Sequence, residues 1–372
     1  MKIEMNKEMY LNEWRVYLKE DKIDLDKIKK IFYEETEGVK KWIWFELSDS
    51  SIKFLDQRFL PHSEKWVECF DENDVALAIR SMVVRGAPAI GISAAFGILY
   101  GIRKRLENRG KVNFSDFEEM KHKLLNTRPT AYNLKKAIDD MQSVFVSSSP
   151  EDVVEKMEQK AKEIWFYDYL SCYLIGENGS ELIPDGGYVF TICNTGALAT
   201  GGWGTAFSVI RTAKLKGKNF TVYSLETRPY LQGSRLTAWE FLKNKIDFRI
   251  IVDSSATFLM SKHKNSCVIT GADRILRDGT TSNKIGTLML AVSSHYFSIP
   301  FYVCAPKTTI DPNSESIPIE QRSDVEVKEI FGVKIAPDDA KALNYSFDIT
   351  PPELITAIIT EDGVFRYPYF FG

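Results

Sequence analysis

Apolar positions along the chain change their period near residue 180. Before that point the spacing is mostly helical. Leu25, Ile28, Ile31 and Phe32 recur on one side of a 3.6-residue repeat, which predicts a short amphipathic helix inside the Lys- and Glu-rich stretch 1–42. From Ile52 to about Phe166 the pattern again reads as helix, with Leu134, Ala137, Met141, Val144 and Phe145 on one face of one segment. Asn126-Thr127-Arg128-Pro129-Thr130 interrupts it as a turn. Ser149-Pro150-Glu151-Asp152 predicts a new helix start: a capping hydroxyl, proline at the first helical position and acids in the first turn.

After residue 180 short β-rich runs alternate with helical segments. Tyr188–Ile192, Thr221–Leu225, Phe248–Val252, Cys267–Thr270 and Phe301–Cys304 read as strands, with helices such as Leu231–Asn244 and Lys284–Tyr296 between them. That alternation means right-handed βαβ units and a parallel sheet covered on both faces. The predicted fold is α/β: an N-terminal extension (1–43), a mostly helical domain (44–168), and a doubly wound, mostly parallel Rossmann-like sheet domain (169–372) that carries the chemistry.

Composition narrows the function. The chain has 372 residues, with 48 Lys plus Arg against 51 Asp plus Glu, a net charge of −3. It is 44% hydrophobic and 27% charged, which excludes wholesale disorder, collagen-like and coiled-coil chains. A near-neutral balance argues against a broad nucleic-acid-binding surface. Two long uncharged windows raise the question of a membrane span. Gly186–Ile210 is too rich in glycine and threonine for a hydrocarbon helix, and Ile285–Pro306 reads as a helix, a turn and a strand. Met1-Lys2-Ile3-Glu4 shows no apolar leader, and five scattered cysteines without a CxxC pair suggest reduced thiols in a cytoplasm.

Ligands of such sheets bind beyond the carboxyl ends of the strands. Here those ends run into Cys193-Asn194-Thr195-Gly196, Glu226-Thr227-Arg228-Pro229, Asp253-Ser254, Gly271-Ala272-Asp273-Arg274 and Ala305-Pro306-Lys307. No GxGxxG follows a strand, and no GxxxxGK[ST], GxSxG or HExxH occurs, so dinucleotide, P-loop, serine-hydrolase and zinc chemistry all lose weight. Cys193 stands at a strand end ahead of a predicted helix whose dipole would lower the thiol pKa; a buried structural cysteine is the competing reading. Asp273 follows an apolar strand, where burial would make it a general acid, or else it caps a helix or pairs with Arg274. Arg85-Gly86-Ala87-Pro88 joins an arginine to a turn of small residues, suited to close approach and bidentate contact with an oxyanion. Arg128, in its own proline-containing turn, is a second candidate clamp.

The combination resembles the methylthioribose-1-phosphate isomerase family. The resemblance rests on Val84–Gly91, Thr127–Leu134, Cys193–Ala199, Glu226–Gly233, Gly271–Ile275 and Asn283–Thr287, in that order, and runs from about Trp44 to Phe365. The wider superfamily includes ribose-1,5-bisphosphate isomerases and non-catalytic regulatory subunits of the translation-initiation guanine-nucleotide exchange factor. The resemblance implies aldose–ketose isomerisation of 5-methylthioribose 1-phosphate in methionine salvage, no cofactor, no metal, a cytoplasmic location and a homodimer. It also implies that Cys193 and Asp273 form the catalytic pair, while Arg85, Gly86, Ala87, Arg128, Gln232, Asn283 and Lys284 hold the phosphate and sugar hydroxyls.

Some positions depart from the family pattern. Where a Glu-Asp pair and an Asn are usual, this chain has Tyr167-Asp168 and Cys172; a usual His before the cysteine is Ile192. Asp253-Ser254-Ser255-Ala256-Thr257-Phe258 stands for the usual Asp-x-Met-Ala-Gly-Tyr. These changes bear on dimer contacts and on the pocket for the sugar's C5 substituent. The alternatives are therefore a 5-deoxyribose 1-phosphate or ribose 1,5-bisphosphate isomerase, or a ligand-sensing regulatory subunit.

Overall fold

The computed structural model describes residues 44–371 apart from 130 and 320. The amphipathic helix expected around Leu25–Phe32 lies outside the described residues. These open on an antiparallel sheet of β1 (Phe45–Leu47), β2 (Ile52–Leu55) and β3 (Trp66–Cys69). The helical reading of Ile52–Phe166 is corrected here. Ile52 and Phe54 alternate with the half-exposed Lys53, a period of two that suits a half-buried strand. Register pairs Ile52 with Cys69 and Phe54 with Val67, and the Phe54 ring stacks on Trp44 at 5.8 Å.

Helices follow: α1 (Glu72–Arg80), α2 (Ala87–Arg109), α3 (Phe114–Leu125), α4 (Tyr132–Ser147) and α5 (Val153–Gly179). Local signals set their ends. The Asp71 carboxylate accepts the Asn73 and Asp74 N–H groups ahead of α1, and Asn113 and Asp116 cap each other's backbone at the start of α3. The predicted Ser149 start is a turn, in which Ser149 Oγ accepts the Asp152 N–H at 3.3 Å, and α5 begins at Val153. Helix α2 is buried all round from Ala89 to Ile102, as befits the central strut of a helical layer. Helix α5 lines the core of this layer with Trp165, Tyr169 and Leu170, then continues into the next core through Ile175.

The main sheet has seven strands: β4 (Gly187–Thr191), β5 (Phe220–Leu225), β6 (Phe248–Ile251), β7 (Ser266–Thr270), β10 (Phe301–Cys304), β15 (Ala357–Thr360) and β16 (Gly363–Arg366). Their order is β16-β15-β10-β7-β4-β5-β6, parallel throughout except for β16. Helices α6 (Ala206–Leu215), α7 (Ala238–Lys243), α8 (Ala256–Lys262) and α9 (Thr287–Tyr296) join them. Apolar clusters fill both faces, one around Val189, Ile210 and Ile269, the other around Phe190, Val268 and Leu290. This is the doubly wound sheet that the alternating pattern predicted. Among the described residues no helix is long and apolar enough to cross a membrane. The uncharged window Ile285–Pro306 is α9, a turn and β10, as read from sequence.

A second small sheet was not foreseen. Strands β8 (Arg274–Leu276), β9 (Thr281–Lys284), β11 (Ile310–Asp311) and β14 (Phe347–Thr350) pair in the order β11-β8-β9-β14. They are short, and β9 is Thr-Ser-Asn-Lys, so no apolar period announces it. Between β11 and β14 run a short helix α10 (Val325–Lys328) and a hairpin of β12 (Glu329–Ile330) and β13 (Val333–Lys334).

Candidate active site

The strand order makes the site. From β4 the chain winds outward through β5 and β6, then returns to β7 and winds the other way through β10 and β15. Loops leaving the carboxyl ends of β4 and β7 therefore diverge and open a crevice between them, the topological switch point of such sheets. The first of these loops carries Cys193 and the second Asp273. Both line one cavity of about 120 Å³, together with Arg85, Gly86, Ala87, Arg128, Asn283 and Lys284. The wall opposite the sheet is the N-terminus of α2. Gly86 is its N-cap, Pro88 sits in its first turn, and the free N–H groups and helix dipole at that end favour an anion.

Gly86 is required as glycine. Its φ is +96°, and a Cβ there would lie 2.6 Å from the Ala199 backbone. The Cys193 loop thus packs directly against the helix end. Cys193 itself has φ +69°, a conformation uncommon for a side-chain-bearing residue. It is held there by its N–H donating to Thr227 Oγ1 at 2.9 Å and its carbonyl accepting from Thr237 Oγ1 at 2.6 Å.

The expectation of a helix dipole behind the thiol is corrected. Only a single turn, Ala197–Ala199, follows Cys193, and α6 does not begin until Ala206. Burial pushes the Cys193 thiol up; the nearby Lys284 and Arg85 charges pull it back, and Asp273 opposes them. Burial also lowers Lys284, and lowers Arg85 to about 10 with help from the neighbouring Arg128 and Arg235 charges. The crevice is therefore a desolvated place with several cations, where a dianion would be welcome. Lys284 Nζ donates to the Ser346 carbonyl at 3.0 Å and lies 4.3 Å from the Phe347 ring centre; Asn283 Nδ2 donates to Thr287 Oγ1 at 3.0 Å. Asp273 N–H donates to the Ser282 carbonyl at 2.9 Å, which ties its loop to β9. Arg274, the other candidate partner of Asp273, lies 3.5 Å from Asp311.

Gln232 is placed differently from the other sequence candidates. It is fully buried behind Arg85 rather than in the crevice wall, and with its amide turned to suit both neighbours it accepts from Arg85 Nη2 at 2.5 Å and donates to the Thr227 carbonyl at 3.2 Å. It holds the guanidinium in place.

Polar groups from the helical layer pin the Cys193 loop from outside. Trp44 Nε1 donates to Thr200 O at 2.6 Å, Gln57 Nε2 to Leu198 O at 2.8 Å, and Trp165 Nε1 to Gly201 O at 2.7 Å. Asp168 accepts the Gly201 N–H at 2.5 Å, while Tyr167, at the position that departs from the family pattern, donates its Oη to Glu361 at 2.7 Å. Glu240 accepts from Ala197 N–H at 2.7 Å and Asn194 Nδ2 at 2.8 Å; burial raises it to about 7. In the 253–258 segment, Asp253 accepts the Thr227 and Arg228 N–H groups at 2.7 and 2.8 Å, while Phe258 is exposed. Ile192 is core. Sequence reasoning missed Thr195, Thr205, Ser282 and Arg322 in the crevice wall. Ser282 and Arg322 lie in stretches whose pairing is set only by tertiary contacts.

Fold and site together define a Rossmann-type α/β protein with a cation-lined crevice at its switch point, faced by a thiol and a carboxyl group. Residues 83–367 match the initiation factor 2 subunit family, and the chain belongs to that family. Among curated relatives it is 48% identical over 329 residues to the methylthioribose-1-phosphate isomerase of Thermotoga petrophila, covering 87% of this chain and 95% of that one. It is 50% identical over 331 residues to the enzyme of the same name from Aquifex aeolicus, covering 88% and 69% respectively. Its fold is similar to a crystal structure of 5-methylthioribose 1-phosphate isomerase from Pyrococcus horikoshii OT3, with a TM-score of 0.81, 36% identity and coverage of 91% and 96%. It is also similar to translation initiation factor eIF-2B, subunit delta, from A. fulgidus, with a TM-score of 0.75, 38% identity and coverage of 88% and 97%.

Proposed function

We propose that this protein is an aldose–ketose isomerase that converts 5-methylthioribose 1-phosphate to 5-methylthioribulose 1-phosphate, a step of methionine salvage. The observation that carries the reading is the meeting of Cys193 and Asp273, from two different strand ends, in one cation-lined crevice. The isomerase relatives, matched along nearly their whole length at 48% identity, support it.

The chemistry asks for such groups. Phosphate on the anomeric oxygen blocks ordinary ring opening, so an acid must protonate the ring oxygen as the C1–O bond breaks. Asp273 gives that proton. Hydrogen then moves from C2 to C1 while the C2 hydroxyl becomes a carbonyl and returns its proton to the Asp273 carboxylate. Arg85, Arg128, Lys284 and the α2 N-terminus hold the phosphate and stabilise developing charge. Two routes fit the transfer. In one, Cys193 thiolate removes the C2 proton and returns it at C1; in the other, hydride passes directly along a path that Cys193 shields. Burial pushes the Cys193 thiol up, against the pull of Lys284 and Arg85, which disfavours the thiolate that the first route needs.

The test is a panel of 1-phosphorylated pentoses differing at C5 (methylthio, deoxy, phosphate), assayed for ketose without added cofactor. The methylthio sugar should turn over fastest. No conversion of any member sinks the catalytic reading and favours the regulatory one, to which the 38% identity with the eIF-2B delta subunit gives its weight. In heavy water, direct hydride transfer leaves C1 of the product free of solvent deuterium, so label at C1 excludes that route.

We read the molecule as a cytoplasmic homodimer. Ile250 on edge strand β6, Val252 just after it, Phe258 on α8, and Val292 and Tyr296 on α9 are all exposed, and α8 touches α9 through Thr257 and Ser293 hydroxyls 2.8 Å apart. An apolar face beside an open sheet edge suits a second copy of this chain. Val292→Glu should shift the mass measured by light scattering from dimer to monomer. Five free thiols fit a reducing compartment.

A further inference from the structure

Resting on that reading of the crevice, we propose that Arg322 is a further substrate-binding residue that grips the anionic end of the sugar phosphate, and that Glu326 is the internal counter-ion which the phosphate displaces. Arg322 reaches the crevice from the segment between β11 and α10, with Ile317 and Pro318 beside it, across from the strand ends. Its charge is felt by Lys284, so the two cations face the same space. On its other side the guanidinium is 3.1 Å from Glu326, 3.3 Å from Tyr230 Oη and 5.1 Å from the Tyr230 ring centre.

Glu326 is itself fixed. Tyr230 Oη donates to it at 2.6 Å and Asn344 Nδ2 at 2.7 Å. The backbone of the segment is fixed as well: Arg322 N–H donates to Asn344 O at 2.8 Å, and Arg228 Nη2 to Val327 O at 2.8 Å. Tyr230 and Arg228 belong to the Glu226–Gly233 motif, so the segment over the crevice is tied to a strand-end loop of the same site.

The arrangement solves an electrostatic problem. Arg85, Arg128 and Lys284 already crowd one desolvated space, and a fourth cation without a counter-ion would raise the cost of the empty site. With Glu326 beside it, Arg322 is stored nearly neutral. A planar guanidinium has five donors, so it can turn a fork toward a phosphate without leaving its anchored backbone. A phosphate dianion offers more charge and more acceptor oxygens than the carboxylate it replaces.

Binding of inorganic phosphate to the whole protein, read by calorimetry, tests this without any turnover. Arg322→Ala should weaken phosphate binding by about tenfold or more, as loss of one charge-assisted fork does. In the activity assay it should raise KM by more than it lowers kcat. Glu326→Gln should tighten phosphate binding, by about threefold, and that gain should vanish in the Arg322→Ala background. Thermal melts without phosphate check that each variant is folded, and Arg322→Lys with Glu326→Gln stand in should the alanine variant fail. Phosphate affinity within twofold of wild type in Arg322→Ala, or a Glu326→Gln gain of equal size in both backgrounds, overturns the inference. Failure of the sugar panel with these phosphate results intact would strike the isomerase reading alone.

Discussion

Two hollows flank the N-terminus of α2, and both are rich in charge. One is the crevice. The other, about 440 Å³, is lined by α4 and α5 and by Lys136, Asp140, Lys160, Glu163 and Lys307. There each lysine has a carboxylate: Lys136 with Asp140 at 3.6 Å, Lys160 with Glu163 at 2.6 Å, and Lys307 with Asp362 at 2.7 Å. In the crevice two cations are held by neutral acceptors instead, Lys284 by a carbonyl and Arg85 by an amide, while Arg274 and Arg322 in the same wall face Asp311 and Glu326. Volume and charge content do not separate a site from a surface groove; the way the charges are satisfied does. Cations pinned by neutral groups keep their charge available for an incoming anion, whereas self-paired lysines in the wetter groove have little left to offer.

The sharpest way to break this contrast is to remove the two groups proposed to carry the chemistry. Cys193→Ala and Asp273→Asn should each lower kcat by about a thousandfold or more while the melting temperature stays near wild type, because neither group carries much packing. Turnover near wild type in either variant ends the assignment. Next come the cations. Arg85→Ala should raise KM by about a hundredfold, as loss of a buried charge clamp does, and Arg85→Lys should recover little, since Gln232 is positioned for a guanidinium. Lys136→Ala and Lys160→Ala in the second hollow should leave both constants where they are. If the two sets behave alike, the contrast has no functional content.

Smaller effects sharpen it from the backbone side. Gly86→Ala forces a Cβ onto the Ala199 backbone at a positive φ, and should cost about 1–3 kcal/mol in a denaturation experiment as well as activity. Glu240 gives a pH signature. Burial raises its pKa to about 7 in the folded chain, above the value near 4.5 of a free side chain, so the native state binds the extra proton. That contribution to stability is fully present below pH 4.5 and is lost as pH rises through 7. Glu240→Gln should therefore flatten the fall in melting temperature over that window; an unchanged slope refutes the claim. The mildest change is Gln57→Ala, which removes one bond from the Cys193 loop and should cost about 1 kcal/mol.

Much of this was open to reading from the chain itself. Alternating apolar runs and helical segments dictate a doubly wound sheet, because strands with no polar face need helices on both sides and crossovers turn one way. The chemistry-bearing residues stand directly after those runs, so a sheet of this kind must collect them along one edge. Weak signals failed where tertiary context decided. The meander at Phe45–Cys69 and the Thr-Ser-Asn-Lys strand are too short or too polar for their period to show, and the resemblance that offers Gln232 to the substrate does not tell that it packs on Arg85. Residue order also leaves unsaid which strand ends become neighbours. That depended on β7 returning to the far side of β4, which set Cys193 and Asp273 across one crevice, and on distant segments closing around it to strip away water, where each charge acts most strongly.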